Sequence, residues 1–178
     1  PGGVAAGGHL TLAATLSRVL CFAYYCIAVG AFEEIVFRGI ALPCCLAFFK
    51  GRFRAFWAAA LGSAIFALCH LVNLVGGNAG EVFMQVGYSF LVGGMCAIVY
   101  LLCPNVSLCA LLHALFDFGG FMATYLGTGM VWGALDITLT AVTAVAGTAY
   151  ALWLLFVKLR DSIPDFWIKR PEDGADGA

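Results

Sequence analysis

Two adjacent carboxylates lie close to a guanidinium in the first long apolar stretch of the chain. Glu34 and Arg38 are four residues apart, so on a helix they share a face and can form an ion pair. Glu33 points about 100° away around the same helix and has no such partner. An apolar site that holds a carboxylate without a counter-charge favours its use as a general base. The sequence therefore predicts a structural role for the pair and a chemical role for Glu33.

Two further motifs place histidines inside apolar runs. His70 ends the run Phe-Ala-Leu-Cys-His, and Asn73 follows it by about one turn. His113 and Asp117 are four residues apart in another apolar run. Because lipid does not solvate such groups, a helical bundle turns them inward. Asn73 is interpreted as a helix-packing or capping residue. The side chains expected to line one wet cavity are Glu33, His70, His113 and Asp117.

The composition indicates a helical membrane protein. Hydrophobic residues make up 63% of the chain and charged residues 11%, and the alternating pattern of a membrane barrel is absent. A net charge of -1 leaves no basic surface for nucleic acid.

The first apolar stretch exceeds one span, so we expect it to bend or break near Gly30 and near Pro43. The apolar segments are expected at about 10–49, 55–75, 82–102, 107–126 and 131–157.

These segments predict an all-α, polytopic transmembrane helical bundle with at least five hydrophobic segments. The loop at 50–54 and the start of the C-terminal tail are the two basic clusters. The positive-inside rule places both in the cytoplasm, and the four spans between them return the chain to the same side. We expect one transmembrane domain at 1–160, with its motifs at 33–118. Residues 161–178 are expected to form a cytoplasmic, partly disordered tail.

The three motifs, in this order, resemble those of one known family. Residues 33–39, Glu-Glu-Ile-Val-Phe-Arg-Gly, match the EExxFRG motif of the CAAX protease and bacteriocin-processing family, also called the CPBP or Abi family. Residues 66–70 look like its FxxxH motif, and residues 113–117 look like its closing HxxxN/D motif. Residues 90–94 resemble the weaker glycine-containing span between them. The likeness covers 33–118, roughly half of the chain.

The resemblance implies an intramembrane glutamic endopeptidase that uses no metal, no other cofactor and no covalent intermediate. In that family the residues at Glu33 and His70 activate a water, and the closing motif, here His113 and Asp117, stabilises the oxyanion. The ion pair of the first motif would hold the shape of the site. The implied partners are membrane lipid and a substrate that is a prenylated CAAX-type protein or, in bacteria, a peptide. In a prokaryote the protein would lie in the cell membrane.

The chain departs from the family pattern in two respects. Asp117 replaces the Asn of the eukaryotic CAAX enzymes, and an ionised Asp would repel an oxyanion. Asp117 would therefore have to be protonated, or orient His113 instead. Aspartate is common here among bacterial relatives, which weakens the expectation of a prenylated substrate. The chain is also shorter than most members, which leaves open whether further spans precede Pro1.

Two other functions fit the same residues. One is a non-catalytic membrane binding or bacteriocin-immunity protein whose polar cavity holds a peptide or a partner helix. The other is a zinc-dependent membrane protease, with zinc bound by His70, His113 and Glu33, although the HExxH motif is missing. The combination of a base and an oxyanion site favours the enzyme, because binding alone rarely needs both. The sequence sets no oligomeric state.

Overall fold

The structure is a computed structural model, and it describes residues 11–125 and 134–159. Every regular element in these residues is helical, as predicted. The expected tail at 161–178 lies outside the described residues. In chain order the elements are α1 (Leu12–Glu34), a π-helical segment (Ile35–Ala41), α2 (Leu42–Phe48), α3 (Arg54–Cys69), a 3₁₀ helix (His70–Val75), α4 (Ala79–Leu102), α5 (Val106–Tyr125), α6 (Ala134–Trp153) and a second π-helical segment (Leu154–Lys158).

The lengths and the surface of these helices suit a lipid bilayer. Large apolar side chains are exposed along α1 and α4, among them Leu20, Phe83 and Met84. Such a surface is unfavourable in water and matches the hydrocarbon of a membrane. The predicted membrane bundle is confirmed, and the chain is an integral membrane protein. Three helical segments are long and apolar enough to span, Leu12–Phe48, Arg54–Val75 and Ala79–Leu102, and shorter apolar helices occupy Val106–Met122 and Val145–Lys158.

The first apolar stretch does not break near Gly30, where α1 continues. The chain remains helical from Leu12 to Phe48 and leaves α geometry in the π-helical segment, where the amide of Leu42 donates to the carbonyl oxygen of Phe37, five residues back. Pro43 lies in the first turn of α2, directly after the π-helical segment. The departure from α geometry thus falls between the two predicted positions and contains Arg38.

Small residues let the helices that carry the motifs approach closely. A Cβ atom on Gly30 of α1 would lie 2.9 Å from the carbonyl oxygen of Ala110 in α5. A Cβ atom on Gly93 of α4 would lie 3.1 Å from the ring of Phe66 and 3.3 Å from the Cα of Ser63, both in α3. Helices in lipid associate through such close backbone contacts. They bring the ends of α1 and α3 against α5 and α4.

A dry core fills the bundle beside these contacts. It joins α2, α3, α4, the start of α5 and the second π-helical segment, and small residues of α3 allow the helices to interdigitate. Because its members are apolar, this region holds the scaffold together without chemistry of its own. Its most buried members include Leu42, Leu46, Ala55, Ala58, Cys96, Leu101 and Cys109.

Short connections set where α4 and α5 begin. The side chain of Asn78 accepts from the amides of Gly80 and Glu81, and the side chain of Asn105 accepts from the amide of Leu108. Both asparagines therefore supply the acceptor that the free amides of a first helical turn need. The loops at 76–78 and 103–105 fall in the gaps between the predicted apolar segments.

Candidate active site

A buried layer lies at the junction of α1 and the π-helical segment; we define it as Glu34, Arg38 and the carbonyl group of Gly93. The side chains of Glu34 and Arg38 are 0% and 3% exposed, and Arg38 Nη1 donates to Glu34 Oε1 at 2.7 Å. Arg38 Nη2 donates to the oxygen of Gly93 at 2.8 Å. The predicted ion pair is confirmed. It also ties the end of α1 to α4, which its spacing alone does not reveal.

His113 of α5 is fixed from behind by this layer. Its Nδ1 lies 2.8 Å from Glu34 Oε1. Because a carboxylate paired with arginine only accepts hydrogen bonds, the hydrogen of this bond lies on Nδ1. The ring also packs against that of Phe66 in a T-shaped arrangement, at a centroid distance of 5.7 Å and an interplanar angle of 90°. The two residues of the bond are 79 positions apart, so no local spacing could have predicted it.

The other side of the His113 ring faces two carboxylates. Nε2 lies 3.5 Å from Glu33 Oε2 and 3.7 Å from Asp117 Oδ2. Both distances exceed the roughly 2.7–3.2 Å of a direct hydrogen bond. The side chains of Glu33 and Asp117 are 23% and 18% exposed, unlike the buried layer. One nitrogen and two carboxylates thus converge on one accessible point.

His70 is the first residue of the 3₁₀ helix and is oriented by a backbone group. Its Nδ1 lies 3.0 Å from the carbonyl oxygen of Phe66. A carbonyl oxygen can only accept, so Nδ1 carries the hydrogen and Nε2 of the neutral ring keeps its lone pair. That lone pair can accept a hydrogen from water or a proton from a reacting group.

All four side chains predicted to share a cavity line one cavity of about 340 Å³. They come from α1, the 3₁₀ helix and α5, and Glu34 and Arg38 lie behind the cavity instead of on its wall. The apolar part of the wall is largely aromatic, with Phe22, Phe66, Phe116 and Phe121. The polar part of the wall also includes side chains that the motifs did not predict: Tyr25, Asn73, Gln85, Tyr88 and Ser89.

Asn73 and α4 make the main contribution that the sequence analysis missed. The side chain of Asn73 donates from Nδ2 to Gln85 Oε1 at 2.9 Å and links the 3₁₀ helix to α4, which agrees with the helix-packing interpretation and not with a cap. Gln85 and Ser89 are polar residues four positions apart in an apolar span, and they share a helix face. This spacing was the available signal for a polar wall on α4.

The described residues do not assemble a metal site. In the ranges 11–125 and 134–159, no group of three His, Cys, Asp or Glu side chains could hold a metal ion. Of the proposed zinc ligands, His113 uses Nδ1 for Glu34, and His70 uses Nδ1 for a backbone carbonyl. These bonds leave Nε2 of both rings free, as in histidines that bind zinc, so the zinc alternative would require only a closer grouping of Glu33, His70 and His113 than the structure has.

Comparison with known proteins decides the family. A family model described as type II CAAX prenyl endopeptidase Rce1-like matches residues 15–119, which is more than half of the chain and contains all three motifs. The chain belongs to this family. No curated protein and no solved structure matches it. The Rce1-like match confirms the resemblance to the CAAX proteases and assigns the protein to the membrane peptidases, a class of hydrolases.

Proposed function

We propose that this Rce1-like protein is an intramembrane glutamic endopeptidase. Glu33 and His70 activate a water, and His113 stabilises the oxyanion together with Asp117. The observation that supports this best is the orientation of His113, whose Nδ1 is held by Glu34 while Nε2 faces the cavity. A histidine fixed on one nitrogen and open on the other suits a positioned hydrogen-bond donor.

The hydrolysis begins with a water held between the Glu33 carboxylate and Nε2 of His70. As its oxygen forms a bond to the peptide carbonyl carbon, Glu33 takes its proton. The electron pair of the carbonyl double bond moves to the oxygen, which becomes the oxyanion. When the carbon–nitrogen bond breaks, Glu33 returns the proton to the leaving nitrogen. The products are a carboxyl group and an amine, and no bond forms to the protein.

The oxyanion requires an N–H on Nε2 of His113. Because Nδ1 already carries the hydrogen bonded to Glu34, Nε2 donates only when the ring is doubly protonated and positively charged. With Arg38 also positive, the three carboxylates of the site leave a net charge of -1. A proton on Asp117 makes the site neutral and supplies a second donor. This is how an aspartate serves where the eukaryotic enzymes use asparagine.

The proposed substrate is a prenylated CAAX-type protein or a bacterial peptide. The description of the matching family supports the first, and Asp117 supports the second through the bacterial relatives that share it. The aromatic wall of the cavity, with Phe116 and Phe121, favours a substrate that carries a large apolar group. From the positive-inside rule we place the loop at 50–54 and the tail at 161–178 in the cytoplasm.

Cleavage of a peptide panel by the purified protein tests this proposal. Prenylated and unprenylated peptides of the same sequences are incubated with the wild type, with Glu33→Gln and with the matched control Glu81→Gln, and the products are identified by mass spectrometry. Glu81 is an exposed residue in the first turn of α4, outside the cavity wall. We expect one backbone cut with the wild type and the control, and none with Glu33→Gln in the same time.

Two outcomes would replace the proposed mechanism. Peptides that bind without being cut by the wild type would favour the membrane binding or immunity function. The zinc alternative is tested by repeating the assay after exhaustive chelation, which the proposed mechanism predicts to have no effect. Activity that is lost to the chelator and restored by added zinc would make the zinc mechanism the better account.

A further inference from the structure

The side-chain amides of Asn73 and Gln85 meet at the exposed end of the cavity. Asn73 Nδ2 donates to Gln85 Oε1 at 2.9 Å and joins the 3₁₀ helix to α4. Both side chains line the same cavity as Glu33 and His70. The proposed bond cleavage uses neither of them. Two neutral amides beside reactive carboxylates suit the binding of a substrate group that is polar and uncharged.

One hydrogen bond between two amides leaves a donor and an acceptor unused. Each side-chain amide has one oxygen acceptor and two N–H donors, and the contact uses one N–H and one oxygen. One oxygen acceptor and three N–H donors remain, namely the oxygen and one N–H of Asn73 and both N–H groups of Gln85. Exchanging the oxygen and nitrogen positions in both side chains leaves the same set of groups. A peptide group, with one N–H and one C=O, is complementary to this set.

A charged substrate group matches the pair less well. No Lys or Arg is among the cavity-lining residues in the described part of the chain. The Glu33 carboxylate would repel a terminal carboxylate or a phosphate in a site of low dielectric. The amide pair therefore fits the interior of a polypeptide main chain better than its charged end.

The position of Asn73 sets its distance from the reacting bond. Asn73 follows His70 by three residues in a 3₁₀ helix, where side chains three residues apart are eclipsed. The rise of about 2.0 Å per residue places Asn73 about 6 Å along the helix from His70. An extended peptide advances about 3.3 Å per residue. A main-chain group bonded to the pair would thus lie about two residues from the bond under attack.

We propose that Asn73 and Gln85 form a substrate subsite that hydrogen-bonds the peptide main chain about two residues from the scissile bond. This inference rests on the proposed endopeptidase function. The subsite fixes which peptide bond reaches Glu33 and His70. Because it contacts the main chain, it sets the position of the cut while tolerating different side chains there.

Backbone methylation of the substrate, combined with variants of the pair, tests the subsite. In a cleaved peptide, each amide within three residues of the scissile bond is N-methylated in turn on both sides, which removes one N–H donor at a time. With the wild type we expect kcat/KM to fall about three- to tenfold at one amide about two residues from the cut, the loss expected for one neutral hydrogen bond. The double variant Asn73→Ala/Gln85→Ala should cut the unmethylated peptide about as slowly as the wild type cuts the methylated one. Its kcat/KM should not change when that methyl group is present.

Met84→Ala is the matched control, because Met84 precedes Gln85, is 70% exposed and does not line the cavity. It should keep the methylation profile of the wild type, and melting curves should show all variants folded. A double variant that keeps the full methylation effect would overturn the subsite while leaving the endopeptidase function intact. If methylation at no position changed kcat/KM of the wild type, the subsite would also be overturned and the endopeptidase function would remain intact. A wild type that cuts no peptide would overturn the proposed function and this inference with it.

Discussion

The two sides of the His113 ring differ in how tightly they are held. Behind the ring, Nδ1 is 2.8 Å from Glu34 Oε1, and that oxygen also accepts from Arg38 at 2.7 Å. In front of it, Nε2 lies 3.5 Å from Glu33 and 3.7 Å from Asp117. The hydrogen bonds of the buried layer are short and its side chains are inaccessible to solvent. The contacts of Nε2 are longer, and the carboxylates that make them are partly exposed. The same imidazole is therefore both a structural and a chemical group.

This difference separates the roles of two adjacent glutamates. The Glu34 carboxylate receives both of its hydrogen bonds on Oε1, and its Oε2 has no partner within the described residues. Removing its charge would leave Arg38 buried without a counter-charge. Glu33 makes no comparably short bond, so its charge can change during a reaction without disturbing the packing. The two glutamates therefore differ in how deeply they are buried and in their hydrogen-bond partners, although they are the same type of residue.

The largest effect is expected for the rate of Glu33→Gln. Glutamine keeps the size of the side chain but cannot take a proton from water, so cleavage should slow by roughly 10²- to 10⁴-fold. The melting temperature in detergent should stay at the wild-type value, because no short hydrogen bond is lost. Rates and melting curves are measured on the same preparation. A variant that cleaves at the wild-type rate would show that Glu33 is not the base.

Glu34→Gln is expected to have its main effect on stability. It leaves a buried Arg38 with a neutral partner, and breaking such a pair can cost roughly 3–5 kcal/mol. Thermal unfolding in detergent should show a much larger decrease in melting temperature than Glu33→Gln causes.

The double variant Glu34→Leu/Arg38→Leu is the control for a stranded charge. It removes both charges and should recover part of the stability that Glu34→Gln loses. If Glu34→Gln melts like the wild type, the buried layer does not stabilise the fold in this way.

His113→Ala should both slow cleavage and lower the melting temperature. The loss of rate should be smaller than that of Glu33→Gln, and the loss of stability should be smaller than that of Glu34→Gln. Loss of an oxyanion donor should slow cleavage by about a hundredfold or more. The melting temperature should decrease less than in Glu34→Gln, because Glu34 keeps its bond to Arg38. In a double-mutant cycle, the stability losses of His113→Ala and Glu34→Gln should be less than additive, since Glu34→Gln removes the charge from the same bond that His113→Ala removes. Strict additivity would show that the charge of Glu34 does not stabilise the fold through this bond.

The sequence predicted the cavity side of His113 better than the buried side. Glu33, His70, His113 and Asp117 could be grouped because an ionisable side chain in an apolar span is expected to face the interior of a bundle. The predicted ends of the helices also lay close to the observed ends; α4 begins at Ala79, and the predicted segment began at residue 82. Both inferences use local information, namely hydropathy and helical spacing.

The remaining features depend on contacts between distant segments. The bond from Glu34 to His113 exists because Gly30 lets α1 approach Ala110 of α5, and a glycine in an apolar run equally suggests a break. The contact of Asn73 with Gln85 likewise requires the 3₁₀ helix to lie against α4. No spacing rule within one helix contains such information.

Asp117→Asn is expected to have the smallest effect, and it distinguishes the roles of the two carboxylates that face Nε2 of His113. Glu33 and Asp117 lie at nearly equal distances from the same nitrogen, so the variants must distinguish their roles. If position 117 supplies a hydrogen-bond donor to the oxyanion, an asparagine N–H replaces the protonated carboxyl, and kcat/KM should change by less than about tenfold. The rate is measured beside Glu33→Gln with the same peptide, and a melting curve checks that the variant is folded. A loss as large as that of Glu33→Gln would assign the proton transfer to Asp117 and reverse the roles of the two carboxylates.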